Sequence, residues 1–193
     1  MHRRHFLGTI SATALLPFLR ALPAFGQDRE FLAALERAQS QRPKALTARA
    51  RIAPASEPGD PLVVHGRVVA EDGKTPVAGA IVFAYHTDRE GLYDRPEAGA
   101  HSWRLKGWAR TASDGTFEFT TIRPGAYPGR NIAQHVHLNV YIPDGRRHSV
   151  DELRFADDPL VPESERPSVS QVRREGAVQH VDFTFRLRTQ NKF

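Results

Sequence analysis

His135-Val136-His137-Leu138-Asn139-Val140-Tyr141-Ile142 alternates between two sets of side chains without a break. Val136, Leu138, Val140 and Ile142 form one set; His135, His137, Asn139 and Tyr141 form the other. A period of two is that of a half-buried β-strand, and side chains two apart on a strand share a face. The two imidazoles therefore point the same way and can supply half of a metal's ligand set.

The flanking sequence carries the same signature. Pro124-Gly125-Ala126-Tyr127-Pro128-Gly129 is a tight turn ahead of the His strand. Before it, Trp108 to Thr111, the turn Ser113-Asp114-Gly115 and Thr116 to Ile122 read as a β-hairpin. Leu62 to Ala70 is rich in Val, Asp72-Gly73 marks a turn, and Ala80 to Tyr85 is an apolar run. Near the end, Val181, Phe183, Phe185 and Leu187 alternate with Asp182, Thr184, Arg186 and Arg188. Short strands with frequent turns predict a mainly β fold, an antiparallel β-sandwich. Two long stretches without strand signals interrupt it, His86 to Lys106 and Pro143 to Gly176, and loops of that length are where sites are built. Upstream, Phe31, Leu32, Leu35 and Ala38 have helical spacing, predicting a short amphipathic helix over Asp28 to Gln41, followed by an irregular arm, Arg42 to Pro61.

The N-terminus reads as an address. His2-Arg3-Arg4-His5-Phe6-Leu7 is a twin-arginine pattern, followed by an apolar stretch and by Ala24-Phe25-Gly26, small residues where a signal peptidase cuts. Basic head, apolar middle and small-residue end predict an export signal over 1–26, and a mature protein that is periplasmic or secreted with no stable membrane insertion. The remaining division is 27–60, helix and arm, and 61–193, the sandwich. The chain has no cysteine, which excludes disulfides, iron–sulfur clusters and thiolate metal sites, so any metal must take nitrogen and oxygen ligands. The net charge of +5 owes three charges to Arg3, Arg4 and Arg20, and the later basic residues are scattered, so no nucleic-acid partner is expected.

Oxygen donors to complement two imidazoles are carboxylates or tyrosinates. Tyr93, in Gly91-Leu92-Tyr93, lies in the first long loop, and Tyr127 lies in the turn before the His strand. A phenol, with a pKa of about 10, is a poor ligand while protonated, but a trivalent, oxygen-seeking ion stabilises the anion directly. Two tyrosinates with two histidines point to ferric iron, whereas two histidines and one carboxylate suit ferrous iron.

The residues carrying this pattern, together with Thr75-Pro76-Val77-Ala78-Gly79-Ala80, Lys106-Gly107-Trp108, Ser113-Asp114-Gly115 and Val181-Asp182-Phe183-Thr184-Phe185, resemble the intradiol ring-cleavage dioxygenases. The resemblance covers roughly residues 60 to 190. It implies a non-haem Fe(III) site held by Tyr93, Tyr127, His135 and His137, with Tyr127 also taking up a substrate proton. It implies cleavage of a catechol-type ring by O2 to a muconate-type dicarboxylic acid. Family members often form oligomers through N-terminal helices, and the Asp28 to Gln41 helix permits a homo-oligomer. Known members carry an arginine three residues before the first His; here that position is Ile132, and Arg130 is the candidate for the same electrostatic role. Glu152 stands nearest to a glutamine that often lies near the iron and receives no role. Two alternatives stay open: a non-catalytic periplasmic module like the carboxypeptidase regulatory domain, and a metal-binding homologue without ring cleavage. His65, His86, His101, His148 and His180 have no partner at ligand spacing; Tyr85, Tyr141, Trp103 and Trp108 read as packing residues, and Asp157-Asp158-Pro159 as a loop turn.

Overall fold

The structure, a computed structural model, describes residues 33, 36–38, 40–94, 103–144, 147–149 and 152–188. The export signal, its cleavage site, His101 and much of the expected N-terminal helix lie outside the described residues. Residues 33, 36–38 and 40 are helical, as the amphipathic spacing predicts. No helix among the described residues is long and apolar enough to cross a membrane.

Ten strands follow in chain order: β1 (Arg49–Arg51), β2 (Pro61–Val69), β3 (Ile81–Tyr85), β4 (Lys106–Arg110), β5 (Thr116–Ile122), β6 (His135–Tyr141), β7 (Arg147–Ser149), β8 (Leu153–Arg154), β9 (Val172–Glu175) and β10 (Val178–Arg186). They form two sheets. One has the order β1-β5-β2-β10-β9; the other runs β4-β3-β6-β7, with β8 also paired to β6. The mainly β, sandwich-like fold is as expected, with one correction to its pairing. β10 runs parallel to β2, and β1 runs parallel to β5. Neither pair is joined by a hairpin. A short turn sets β10 antiparallel to β9, while β2, on its other side, is reached only after the chain has built the second sheet, so no turn joins those two.

The facing sides of the sheets make the main core. Leu62, Val64, Val68, Phe117, Phe119, Val181 and Phe185 come from the first sheet, and Val82, Ala84, Ala109, Val136, Leu138 and Val140 from the second. At about 25 cal/mol per Å² of apolar surface removed from water, this layer is the dominant stabilising term. The outer face of the second sheet has a core of its own. Phe83, Tyr85, Trp103 and Trp108 are buried there with Ala38 of the N-terminal helix. The His strand is therefore covered on both faces: His135 and Asn139 are buried, as Val136 and Leu138 are. The alternation reads correctly as a strand, but it marks polar chemistry on one face, not exposure to water.

Two stretches read as irregular contain strands. The arm holds β1, and Pro143 to Gly176 holds β7, β8, β9 and a 3-10 helix, Glu163–Ser168. These strands have two to four residues, and β1 and β9 are arginine-rich edges. Such edges need no apolar alternation, and their charge deters pairing with other chains.

His86, just past β3, ties the two sheets together. It is fully buried; its Nδ1–H donates to the Thr87 carbonyl at 2.6 Å, and its Nε2 accepts from the Thr121 hydroxyl of β5 at 2.7 Å. Burial holds its pKa down at about 4, from the ordinary 6.5. Above 6.5 the ring is neutral in both folded and unfolded chains. As the pH falls from 6.5 through about 4, only the unfolded chain binds the proton, and stability is lost. The loss at full protonation is about 3 kcal/mol. Metal-free protein should lose unfolding free energy over this range in denaturant titrations. A His86→Asn variant, weaker at neutral pH, should show a visibly shallower slope.

Candidate metal centre

Two glycines two residues ahead of two tyrosines decide the geometry of the site. Gly91-Leu92-Tyr93 and Gly125-Ala126-Tyr127 cross with their backbones in contact. A Cβ on Gly91, which has φ +83°, would lie 2.0 Å from the Ala126 carbonyl oxygen. A Cβ on Gly125 would lie 2.4 Å from the Arg89 carbonyl oxygen and 2.6 Å from the Gly91 nitrogen. Only chains without side chains can approach so closely. Asp88 holds the crossing. Its carbonyl accepts from Gly125 N–H at 2.8 Å, and its carboxylate accepts from the N–H groups of Glu90 and Leu92 at 2.9 and 3.0 Å. Thr87 donates its hydroxyl to the Gly125 carbonyl at 2.8 Å. The Asp88 carboxylate also faces Arg104 at 3.6 Å, and Arg104 forks onto Glu57 of the arm.

The crossing delivers both phenols to the polar face of β6. Tyr93 Oη is hydrogen-bonded to Tyr127 Oη and lies 2.7 Å from His137 Nε2. Tyr127 Oη lies 3.0 Å from His135 Nε2 and 3.3 Å from His137 Nε2. The two imidazole Nε2 atoms are 3.1 Å apart. All four residues singled out from the sequence as metal ligands thus meet at one point. His135 Nδ1–H donates to the Ala133 carbonyl at 2.7 Å, which leaves Nε2 with a free lone pair. Ahead of the strand, Asp158 accepts from Gln134 N–H at 2.6 Å and from Leu160 N–H at 2.8 Å, so the Asp157-Asp158-Pro159 turn pins the start of β6. On the other side, the His137 ring stacks on Tyr85 at 4.6 Å, and Tyr85 stacks on Trp103 at 4.3 Å.

The electrostatics of this cluster are unfavourable to charge without a cation. Burial, with Tyr127 beside it, pushes the Tyr93 phenol far above the usual range, and burial raises Tyr127 as well. Burial and the neighbouring His135 hold His137 down at about 3, so its ring is neutral. Two neutral imidazoles and two phenols whose ionisation waits for a positive charge are a fitting donor set for a hard, highly charged metal ion. The separations among the four atoms, 2.7 to 3.3 Å where they are not in shorter contact, suit it too. Neighbouring ligands around an ion with bonds of about 2.0–2.2 Å sit about 3 Å apart.

Other expected residues fall as follows. Arg130 is exposed, its N–H donates to the Tyr127 carbonyl at 3.1 Å, and its positive charge favours the Tyr127 phenolate. Ile132 is half-buried. Tyr85, Trp103 and Trp108 pack as read. His65 and His180 do have a partner, each other: His65 Nε2 and His180 Nδ1 are 3.1 Å apart, in stacked rings 5° from parallel with centroids 5.4 Å apart. Glu152, given no role from the sequence, stands beside the cluster and with His135 and His137 forms a metal-capable group, with donor atoms within 4.8 Å of one another. The doubled Gly-x-Tyr is legible in the sequence as a motif; that its two glycines mark a backbone crossing is not.

The dioxygenase family profile matches residues 35–187. Catechol 1,2-dioxygenase 1 of Acinetobacter lwoffii is 31% identical over 122 residues, covering 54% of this chain and 39% of that protein. The dioxygenase domain of a dioxygenase–carbohydrate-binding protein fusion from Streptomyces sp. SirexAA-E is 28% identical with a TM-score of 0.59, covering 75% of this chain and 90% of that one. Catechol 1,2-dioxygenase from Pseudomonas arvilla C-1, at 19% identity and a TM-score of 0.59, shares the fold over 82% of this chain and 67% of its own. The chain belongs to the intradiol ring-cleavage dioxygenase family, whose members use non-haem iron. It spans 39%, 25% and 55% of the lengths of the first three curated relatives it matches.

Substituting Gly125 by Ala forces a methyl group into backbone atoms. The expected outcome is a destabilisation of roughly 1–3 kcal/mol in denaturant titration, from overpacking. Bound metal per chain should fall in parallel, measured by elemental analysis.

Proposed function

We propose that this chain is an exported, non-haem iron(III) intradiol dioxygenase that cleaves a catechol-type ring with O2 to a muconate-type dicarboxylic acid. The observation that carries the reading is the convergence of Tyr93, Tyr127, His135 and His137 on one point. These four residues hold the iron. Bound there, ferric iron makes a coordinated catecholate reactive toward dioxygen. Both oxygen atoms end in the product, so no external reductant is needed.

The chain's own residues supply the rest. The Tyr127 phenolate, made the stronger base by burial, would be suited to take a proton from the incoming catechol. The aromatic wall of Tyr85 and Trp103 behind His137 excludes water from one side of the centre. Arg130 supplies positive charge toward Tyr127 where relatives use an arginine at the position of Ile132. A non-catalytic module like the carboxypeptidase regulatory domain has no use for such a donor set. The twin-arginine segment, 1–26, supports export of the folded chain to the periplasm or beyond.

Oxygen consumption by iron-loaded protein with a panel of catechols is the direct test. We expect uptake with at least one unsubstituted or substituted catechol, and one dicarboxylic acid formed per O2. Iron-loaded protein inert toward every catechol would favour metal binding without ring cleavage. Arg130→Ala should lower kcat/KM by roughly tenfold, the equivalent of about 1.4 kcal/mol of transition-state stabilisation, with iron content unchanged.

A further inference from the structure

We infer that Glu152 is a positioning residue for the metal centre: its carboxylate faces His137 Nδ1, draws the ring proton there and so leaves Nε2 bare toward the ion. The proposal rests on the reading of His137 as a ligand, but its geometry is independent of any bound metal. Glu152 Oε1 lies 3.3 Å from His137 Nδ1 and 3.7 Å from His135 Nε2.

Only one of those contacts is favourable. The ring proton of His135 is on Nδ1, donated to the Ala133 carbonyl, so the His135 Nε2 facing Glu152 offers a lone pair to an anion. At His137 the carboxylate meets Nδ1, and the attraction requires the proton to be there. The other side of the ring is compatible: His137 Nε2 sits 2.7 Å from the Tyr93 hydroxyl, which can donate to it. His135 and His137 thus share one design, each presenting Nε2 because an oxygen faces Nδ1–H. For His135 the oxygen is a backbone carbonyl. For His137 it is a full negative charge, which also makes the imidazole a stronger donor to a metal.

The placement of Glu152 comes from strand register. β8 pairs antiparallel with β6, His135 with Arg154 and Val136 with Leu153. Continuing that ladder by one residue sets Glu152 opposite His137, on the same face. Leu153, fully buried in the main core, anchors it there. Farther along β6, Asn139 pairs with Ser149. On the opposite neighbour, Tyr85 pairs with His137 and stacks on its ring. His137 is thereby held from both sides of its own sheet.

Nitrogen-15 NMR of histidine-labelled, metal-free protein tests this directly. The parent should show His137 as the Nδ1–H tautomer. Glu152→Ala should lose that preference, and Glu152→Gln, whose amide oxygen still accepts, should retain it. In iron-loaded protein, Glu152→Gln should move the visible absorption band to longer wavelength, because a neutral acceptor makes His137 a weaker donor. A parent His137 protonated on Nε2 would overturn the proposal. So would an unchanged tautomer in Glu152→Ala; coupled with a shifted visible band, that result would make Glu152 a direct ligand. The tautomer is read without metal, so failure of the iron reading would show separately, as protein that binds no iron.

Discussion

Everything at this site depends on two pieces of backbone touching where no side chain fits. The loop after β3 and the turn before β6 come from different parts of the chain, and each carries its phenol two residues beyond a glycine. Because Gly91 and Gly125 meet atom to atom, Tyr93 and Tyr127 have no freedom to separate. The hydrogen bonds of Asp88 and Thr87 lock the contact, and the Glu57–Arg104 pair ties it back to the N-terminal arm. The arm, which makes no core strand of its own beyond the three residues of β1, is thus mechanically part of the site.

The second constraint is electrostatic. A sandwich can bury four polar donors on the outer face of a sheet only if something satisfies them, since an unpaired buried polar group is costly. In the metal-free chain the phenols and imidazoles satisfy one another through mutual hydrogen bonds. Burial favours the neutral form of three of them: it raises both phenols and lowers His137. The same burial that opposes charge on the separate groups strengthens their hold on a cation, because in a site of low dielectric the attraction between tyrosinates and a multiply charged ion is poorly screened.

Much of this was legible in the sequence, for identifiable reasons. β5 matches its expected range, and β6 and β10 come within a few residues, because one side of each faces the main core and demands alternation. The four ligand candidates were legible because their chemistry is rare in combination. What the sequence did not disclose falls into two kinds. β1, β8 and β9 are held by ladder bonds to longer strands, and a strand of two to four residues carries too little pattern to register a period. The parallel pairings, the second aromatic core and the position of Glu152 arise from contacts between distant segments, which local periodicity does not encode. His135 shows the limit well: its strand was readable, but its burial depends on Tyr127, 8 residues away in sequence, and on the loop that carries Tyr93.

The central claim is that two phenols and two imidazoles of this chain hold one ferric ion. Visible spectroscopy during titration of the metal-free protein with ferric iron tests it most directly, since tyrosinate-to-iron charge transfer has no source in the protein alone. The account predicts a red to burgundy band that saturates at about one iron per chain and weakens in both Tyr93→Phe and Tyr127→Phe. A protein that stays colourless, or a band indifferent to both substitutions, would contradict it.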